Sequence, residues 1–170
     1  NALSGAAKPQ LCVCLPVSTV QMEYICHMKA PKLLETVKTL VAKARALCPN
    51  VMFMAEDATR GDAAFVQTVI TTAIEAGATA VGVRDSVGAM LPDEFAVWVE
   101  TLMAAVPALS DMPFSVQCAD DLALAAASTL AAIKAGASGT AVVAEGVSAP
   151  SMKSIARIAA DKGAACGFNT

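Results

Sequence analysis

Polar and charged side chains follow successive apolar runs in this 170-residue chain, at the point where each run ends. Such groups could bind an anion, orient a carboxylate or move a proton. They are Ser18, Gln21, Glu56, Asp57, Arg60, Arg84, Asp85, Ser86, Gln117, Asp120 and Glu145. A simpler interpretation of any one of them is that loops are polar because they meet water, and that Asp57, Asp85 and Asp120 cap backbone groups. The residues alone leave both interpretations open.

Short apolar runs alternate with longer stretches in which apolar residues recur every three or four positions. Continuous apolar runs are typical of parallel strands covered on both faces, and the longer spacing is typical of amphipathic helices. The predicted strands are residues 11–15, 51–55, 79–83, 114–118 and 140–144. The predicted helices are residues 31–47, 62–76, 92–105, 121–135 and 150–160.

Helix boundaries and an internal repeat support this alternation. Several residues suit helix starts or C-terminal caps: Pro31, Pro92, Pro150, Asp62, Asp121, Gly77 and Gly136. The near copies AIEAGAT at 73–79 and AIKAGAS at 132–138 each close a helix and lead into a strand. The pattern predicts a parallel α/β sheet, either doubly wound or part of a (βα)8 barrel. In both, the polar residues share one rim at the carboxyl ends of the strands.

Composition narrows the classes of partner. Hydrophobic residues make up 56% of the chain and the formal net charge is −3, so no broad cationic field is available for nucleic acid. The longest apolar stretch, residues 122–133, is too short to cross a bilayer, and no membrane helix is expected. The six cysteines are irregularly spaced and no secretory leader is recognisable, which predicts reduced thiols and a cytoplasmic location. Cys12 and Cys14 are interpreted as buried thiols rather than metal ligands, because no nearby residues complete a site.

The segment VQCADDLALA at 116–125 resembles the strand-end signature of the isopropylmalate synthase, homocitrate synthase and HMG-CoA lyase superfamily. That superfamily has hydrophobic-His-x-His-x-Asp-x-Gly there. Gln117 and Ala119 stand in the two histidine positions and Ala123 in the glycine position, whereas Asp121 keeps the pattern. The single histidine of the chain, His27, cannot rebuild a two-histidine site.

Further blocks resemble isopropylmalate and homocitrate synthases in the same order and at similar spacing. They are MEY at 22–24 with Met28, AEDATR at 55–60, DSVG at 85–88 and GFNT at 167–170. The resemblance implies an α/β fold, a partial (βα)8 TIM barrel with a parallel sheet. The chain would be a single domain over residues 1–170 that corresponds to the last five βα units and lacks three N-terminal units. Asn1 and Ala2 look like the remnant of an expression tag.

Five strands cannot close an eight-stranded barrel. This predicts either an oligomer or partner chain that covers the open seam, or an opening of the units into a flatter doubly wound sheet.

In the family a divalent metal polarises a 2-keto acid, and an enolised acetyl-CoA attacks it. The resemblance implies catalytic roles for Glu56 and Ser86, and substrate-binding roles are expected for Arg60, Gln21 and Arg84. The family's first-strand aspartate, its two histidines and an asparagine expected near residues 146–148 have no counterparts. We therefore expect no cofactor to bind in the family manner.

Three hypotheses follow. The preferred one is a divergent or truncated synthase homologue, inactive in metal-dependent condensation and thus a pseudoenzyme, with a 2-keto acid or acyl-CoA as ligand. The second is a non-catalytic interaction or ligand-sensing module built on the rim and seam, which a large apolar seam would favour. The third is an enzyme with metal-free chemistry that uses Glu56, Arg60 and Asp120.

Overall fold

Strands and helices alternate along the chain in the computed structural model, which describes residues 3, 5–144 and 149–163. The strands are β1 (Leu11–Pro16), β2 (Val51–Glu56), β3 (Ala80–Asp85), β4 (Phe114–Cys118) and β5 (Gly139–Thr140). The helices are α1 (Thr19–Tyr24), α2 (Ala30–Leu47), α3 (Ala63–Glu75), α4 (Pro92–Ala105), α5 (Ala125–Lys134) and α6 (Met152–Asp161). The predicted α/β alternation is confirmed, and α1 is an addition to it. Within the described ranges, none of these helices has both the length and the apolar character needed to span a bilayer.

The five strands form one parallel sheet in the order β1-β2-β3-β4-β5. The helices contact one another in the same sequence, α2 with α3, α3 with α4, α4 with α5 and α5 with α6. Right-handed crossovers that always advance in one direction leave all helices on one face, as in an arc of a barrel. A doubly wound sheet instead reverses its strand order and carries helices on both faces. The doubly wound alternative is therefore wrong, and the partial barrel is confirmed.

The convex face of the sheet meets the helices and forms the core. Phe53, Val81, Val83, Phe114 and Val116 lie on this face and are at most 1% exposed. Burial of each such side chain contributes about 1.5–3 kcal/mol. The packing of helices on this face therefore holds the arc together.

The concave face carries the residues at the alternate strand positions. The register pairs Cys12 with Met52 and Cys14 with Met54, and it pairs Arg84 with Gln117. Cys12 and Cys14 are exposed, so the prediction of buried thiols is wrong. The physical reason is that no helix of the described part covers this face.

Helix α5 begins at Ala125 and not at Asp121 as predicted. The Asp120 carboxylate accepts a hydrogen bond from the Ala125 N–H at 3.0 Å. Ala123 has a φ of 59°, a left-handed conformation that a continuous helix does not contain. The chain between β4 and α5 is therefore a capped turn.

The end of the sheet also differs from the prediction. β5 covers only Gly139–Thr140, because the chain then leaves the sheet and Val143 forms an isolated bridge with Ser151. In a strand over residues 140–144, the backbone groups used in that bridge would instead have formed hydrogen bonds with β4. Ser151 precedes the first residue of α6, so Pro150 lies just before the helix.

The two near copies form equivalent hydrogen bonds. The Thr79 hydroxyl accepts from the N–H of Val51 at 2.9 Å, and the Ser138 hydroxyl accepts from the N–H of Phe114 at 2.8 Å. The glycines two residues earlier have φ values of 107° and 116°, as C-terminal caps require. Each copy thus joins the start of one strand to its neighbour, and the predicted repeat is confirmed.

Candidate functional site

Three polar side chains meet at the carboxyl ends of β2 and β3. The Glu56 carboxylate accepts a hydrogen bond from the Ser86 hydroxyl at 2.5 Å and forms an ion pair with Arg84 at 3.1 Å. The side chains of Arg84 and Glu56 are 29% and 17% exposed, so the pair is partly shielded from water. We define Glu56, Arg84 and Ser86 as the rim cluster. Its two donors fix the orientation of the carboxylate.

A second network surrounds Asp57, which is completely buried. The Ser18 hydroxyl donates to its carboxylate, and Arg60 binds the same carboxylate through Nε at 2.8 Å and Nη2 at 2.6 Å. The Asp57 N–H donates to the Ser86 hydroxyl at 3.0 Å, which connects this network to the rim cluster. A buried carboxylate is stable only with such partners.

The remaining loop residues serve partly as caps. Asp85 is 2% exposed and accepts from the Thr59 hydroxyl at 2.8 Å. Asp120 caps the turn before α5, as the simpler interpretation predicts. The hydrogen bond from the Ala125 N–H gives Asp120 a structural role as a cap. This weakens the hypothesis of metal-free chemistry, which relies on Asp120 as a reactive group.

Arg60 and Gln21 lie at the same end of the sheet but outside the rim cluster. Arg60 directs Nε and Nη2 at Asp57, and its side chain is 44% exposed. Gln21 lies in the first turn of α1, where its N–H donates to the Ser18 hydroxyl at 3.2 Å. The substrate-binding roles of Arg60 and Gln21 stay predictions.

The positions of the family's two histidines lie at the end of β4 and directly after it. Gln117 lies on the concave face beside Arg84, and Ala119 is 4% exposed, with its N–H donating to the Asp85 carbonyl at 2.9 Å. Glutamine offers a neutral amide and alanine offers no donor atom. Across the described ranges, no group of three or more His, Cys, Asp or Glu side chains is placed to hold a metal ion. At the two histidine positions the described chain thus offers one amide and no imidazole.

Two further candidate residues of the sequence, His27 and Glu145, are not part of the rim cluster defined above. His27 is exposed, and its Nδ1 lies 3.1 Å from the Glu23 carbonyl oxygen. Glu145 and residues 146–148, where the family's asparagine was expected, lie outside the described residues.

Cys14 is a neighbour of the rim cluster that the polar pattern missed. Its thiol donates to the Glu56 carboxylate at 3.7 Å. Although the side chain reaches solvent, desolvation by its neighbours, followed by the charge of Glu56, raises the pKa of Cys14 to about 11. The alternation of a strand places residues 12, 14 and 16 on one face, and this signal could have found the contact.

The fold and this rim define a class of protein, a (βα)8-type barrel arc with its polar site at the carboxyl ends of the strands. The family described as HMGL-like matches residues 1–148, and the chain belongs to that family. Over 137 residues it is 38% identical to a 2-isopropylmalate synthase of Clostridium kluyveri and 39% identical to one of Aquifex aeolicus. Each match covers 81% of this chain, which spans about a quarter of the relatives' length, 27% and 26% respectively.

A solved structure supports the fold independently. The HMG-CoA lyase of Brucella melitensis matches 94% of this chain and 61% of its own chain, with a TM-score of 0.80 and 14% sequence identity. This likeness shows the shared barrel architecture. The family resemblance found in the sequence is confirmed by the match of the family to residues 1–148 and by the synthase relatives.

Proposed function

We propose that the chain is a divergent homologue of the acetyl-CoA-dependent 2-isopropylmalate and homocitrate synthases that binds a 2-keto acid at the rim cluster. We further propose that, with the residues it has, it does not carry out the family's metal-dependent condensation. The observation that carries this proposal is the presence of Gln117 and Ala119 at the family's histidine positions, with Gln117 on the concave face beside Arg84.

The donor set explains the proposed loss. In the family the metal acts as a Lewis acid on the keto acid, and imidazole and carboxylate groups are the usual ligands for such an ion. One neutral amide cannot replace two imidazoles. His27 is exposed, and its ring nitrogen pairs with the carbonyl of Glu23 rather than with a residue of the rim cluster.

The retained residues support ligand binding. Glu56 and Ser86, the catalytic positions implied by the resemblance, are in direct contact. Arg84 adds a permanent positive charge at the same place. A guanidinium beside a fixed carboxylate and a hydroxyl offers a small acid both a charge partner and hydrogen-bonding groups. Acyl-CoA is the second ligand that the family relationship suggests.

The test combines turnover with binding. The chain is incubated with acetyl-CoA and a panel of 2-keto acids, with Mg²⁺ or Mn²⁺ and with EDTA, and an active 2-isopropylmalate synthase serves as the positive control. Free CoA is quantified by chromatography, because the six cysteines of the chain react with thiol dyes. We expect binding of a 2-keto acid without CoA release. Release of CoA that EDTA abolishes would overturn the proposed inactivity.

A second candidate is a non-catalytic interaction or ligand-sensing module. It is favoured by the outer edge of β1, which pairs only with β2 in the described part of the chain, and by the exposure of Cys12 and Cys14 beside that edge. An unpaired edge is a template for further strands. These would come from a further segment of a longer protein, from a second copy or from a partner chain. Light scattering of the purified chain tests this candidate, and a stable monomer would contradict the last two arrangements.

A further inference from the structure

Arg84 places a permanent cation next to the position of the family's first histidine. The strand register pairs Arg84 with Gln117, and both residues lie on the concave face. The guanidinium is therefore close to the place where the family's imidazole donors would project. Arginine keeps its charge at all ordinary pH values. A positive charge is therefore present here without a bound metal ion.

The Arg84 guanidinium has a hydrogen-bond donor that is not used within the described structure. Its Nη1 binds Glu56, whereas Nε is buried and has no hydrogen-bond partner among the described residues. A buried donor without a partner costs about 1–3 kcal/mol, and a rotation of the Arg84 side chain, which is 29% exposed, would bring this donor to an incoming acceptor. Nε and an adjacent Nη group form the fork that two coplanar carboxylate oxygens match.

The neighbours of Arg84 favour a carboxylate over a phosphate. Glu56 lies 3.1 Å from Arg84 and repels any anion that approaches the fork. This repulsion is smaller for a singly charged planar carboxylate than for a phosphate, whose charge at neutral pH is larger.

We infer that Arg84 binds the carboxylate of a 2-oxo acid and does so without a metal ion, so that an arginine fork takes over the anchoring task at this end of the barrel. This inference rests on the proposed function, because it names the residue that selects the ligand of the rim cluster. It assigns binding, and no bond is made or broken in it.

Isothermal titration of the full chain with 2-oxoisovalerate, in buffer containing EDTA, tests this inference. Inorganic phosphate is the comparison anion. We expect 2-oxoisovalerate to bind, and Arg84→Gln to weaken it about 10- to 100-fold, the range for charge-assisted hydrogen bonds. Arg84→Lys should recover only part of the affinity, because it keeps the charge and loses the fork. Arg157→Gln is the matched control, because it removes the same charge from the exposed surface of α6.

Removal of Arg84 leaves the partly buried Glu56 carboxylate without its ion-pair partner, which could destabilise the fold. The double variant Arg84→Gln with Glu56→Gln removes both charges and avoids this effect. It too should lose 2-oxo acid binding while keeping the circular dichroism spectrum of the parent. Binding of 2-oxoisovalerate that Arg84→Gln leaves unchanged, or that appears only with Mg²⁺, would overturn the role of Arg84 while keeping the ligand class. Binding of phosphate alone, or of no anion, would overturn the proposed function together with this inference.

Discussion

The loop after β3 passes so close to the chain after β4 that position 88 has no room for a methyl group. Gly88 has a φ of 64°, and a Cβ atom there would lie 2.3 Å from the carbonyl oxygen of Ala119. An L-residue in the left-handed region costs roughly 1–2 kcal/mol. The overpacked contact adds about 1–3 kcal/mol, because only a backbone shift relieves it. Gly88→Ala should therefore lower the free energy of unfolding by roughly 2–5 kcal/mol.

Gly163 provides the control for this substitution. Its φ is 67°, yet a Cβ atom at that position would have no neighbour within 4 Å among the described residues. Gly163→Ala therefore has the backbone strain without the contact, and should cost no more than roughly 1–2 kcal/mol. Urea unfolding followed by circular dichroism and by the fluorescence of Trp98 measures both variants. Equal losses for the two would refute the close approach of residue 88 to Ala119.

Other substitutions test the turn, the thiol and the metal positions. Ala123→Gly should raise the free energy of unfolding by about 1 kcal/mol, because Ala123 is exposed at a φ of 59° that glycine adopts without strain; a loss of stability in urea would contradict this. Cys14, with a pKa raised to about 11, should be alkylated by iodoacetamide at pH 8 far more slowly than an ordinary exposed cysteine, because only the thiolate reacts. Glu56→Gln removes a charge that raises this pKa and should speed the reaction, as read by mass spectrometry; an unchanged rate would count against the contact. Joint replacement of Gln117 and Ala119 by histidine should not produce EDTA-sensitive CoA release, because catalytic metal sites use three protein ligands and this replacement supplies two; such turnover would show that two imidazoles suffice.

Apolar periodicity predicted the elements of the fold except α1, whereas the curvature of the sheet was predicted only by the family resemblance. Apolar periodicity located every described strand, and the repeat at 73–79 and 132–138 located two helix ends. Periodicity is the same in a doubly wound sheet and in a barrel arc, because the difference lies in the direction of each crossover. The exposure of Cys12 and Cys14 has the same origin. An apolar run does not reveal that one face of its strand lacks a helix.

The rim could also be predicted, but its pairings could not. Residues that follow parallel strands share one edge of the sheet, which brought Glu56, Arg84 and Ser86 into one set. The contacts within the set depend on strand register and on local backbone conformation. Asp57 has a φ of 59°, a left-handed conformation that aspartate adopts more readily than most residues. In this turn its carboxylate is buried and bound by Arg60, three residues later.

The charges of the rim restrict how a ligand can bind. In the described part of the rim, Glu56, Asp57 and Asp85 lie beside Arg60 and Arg84, so these residues have no excess of positive charge to attract an anion from a distance. Arg60 is occupied by Asp57 through two of its nitrogens. Attraction must therefore come from directional hydrogen bonds at short range, and among these two arginines only Arg84 has a buried donor without a partner in the described structure. If a 2-oxo acid binds as proposed, its selection depends on the shape of one guanidinium fork rather than on net charge, and Arg84→Lys is therefore the discriminating replacement.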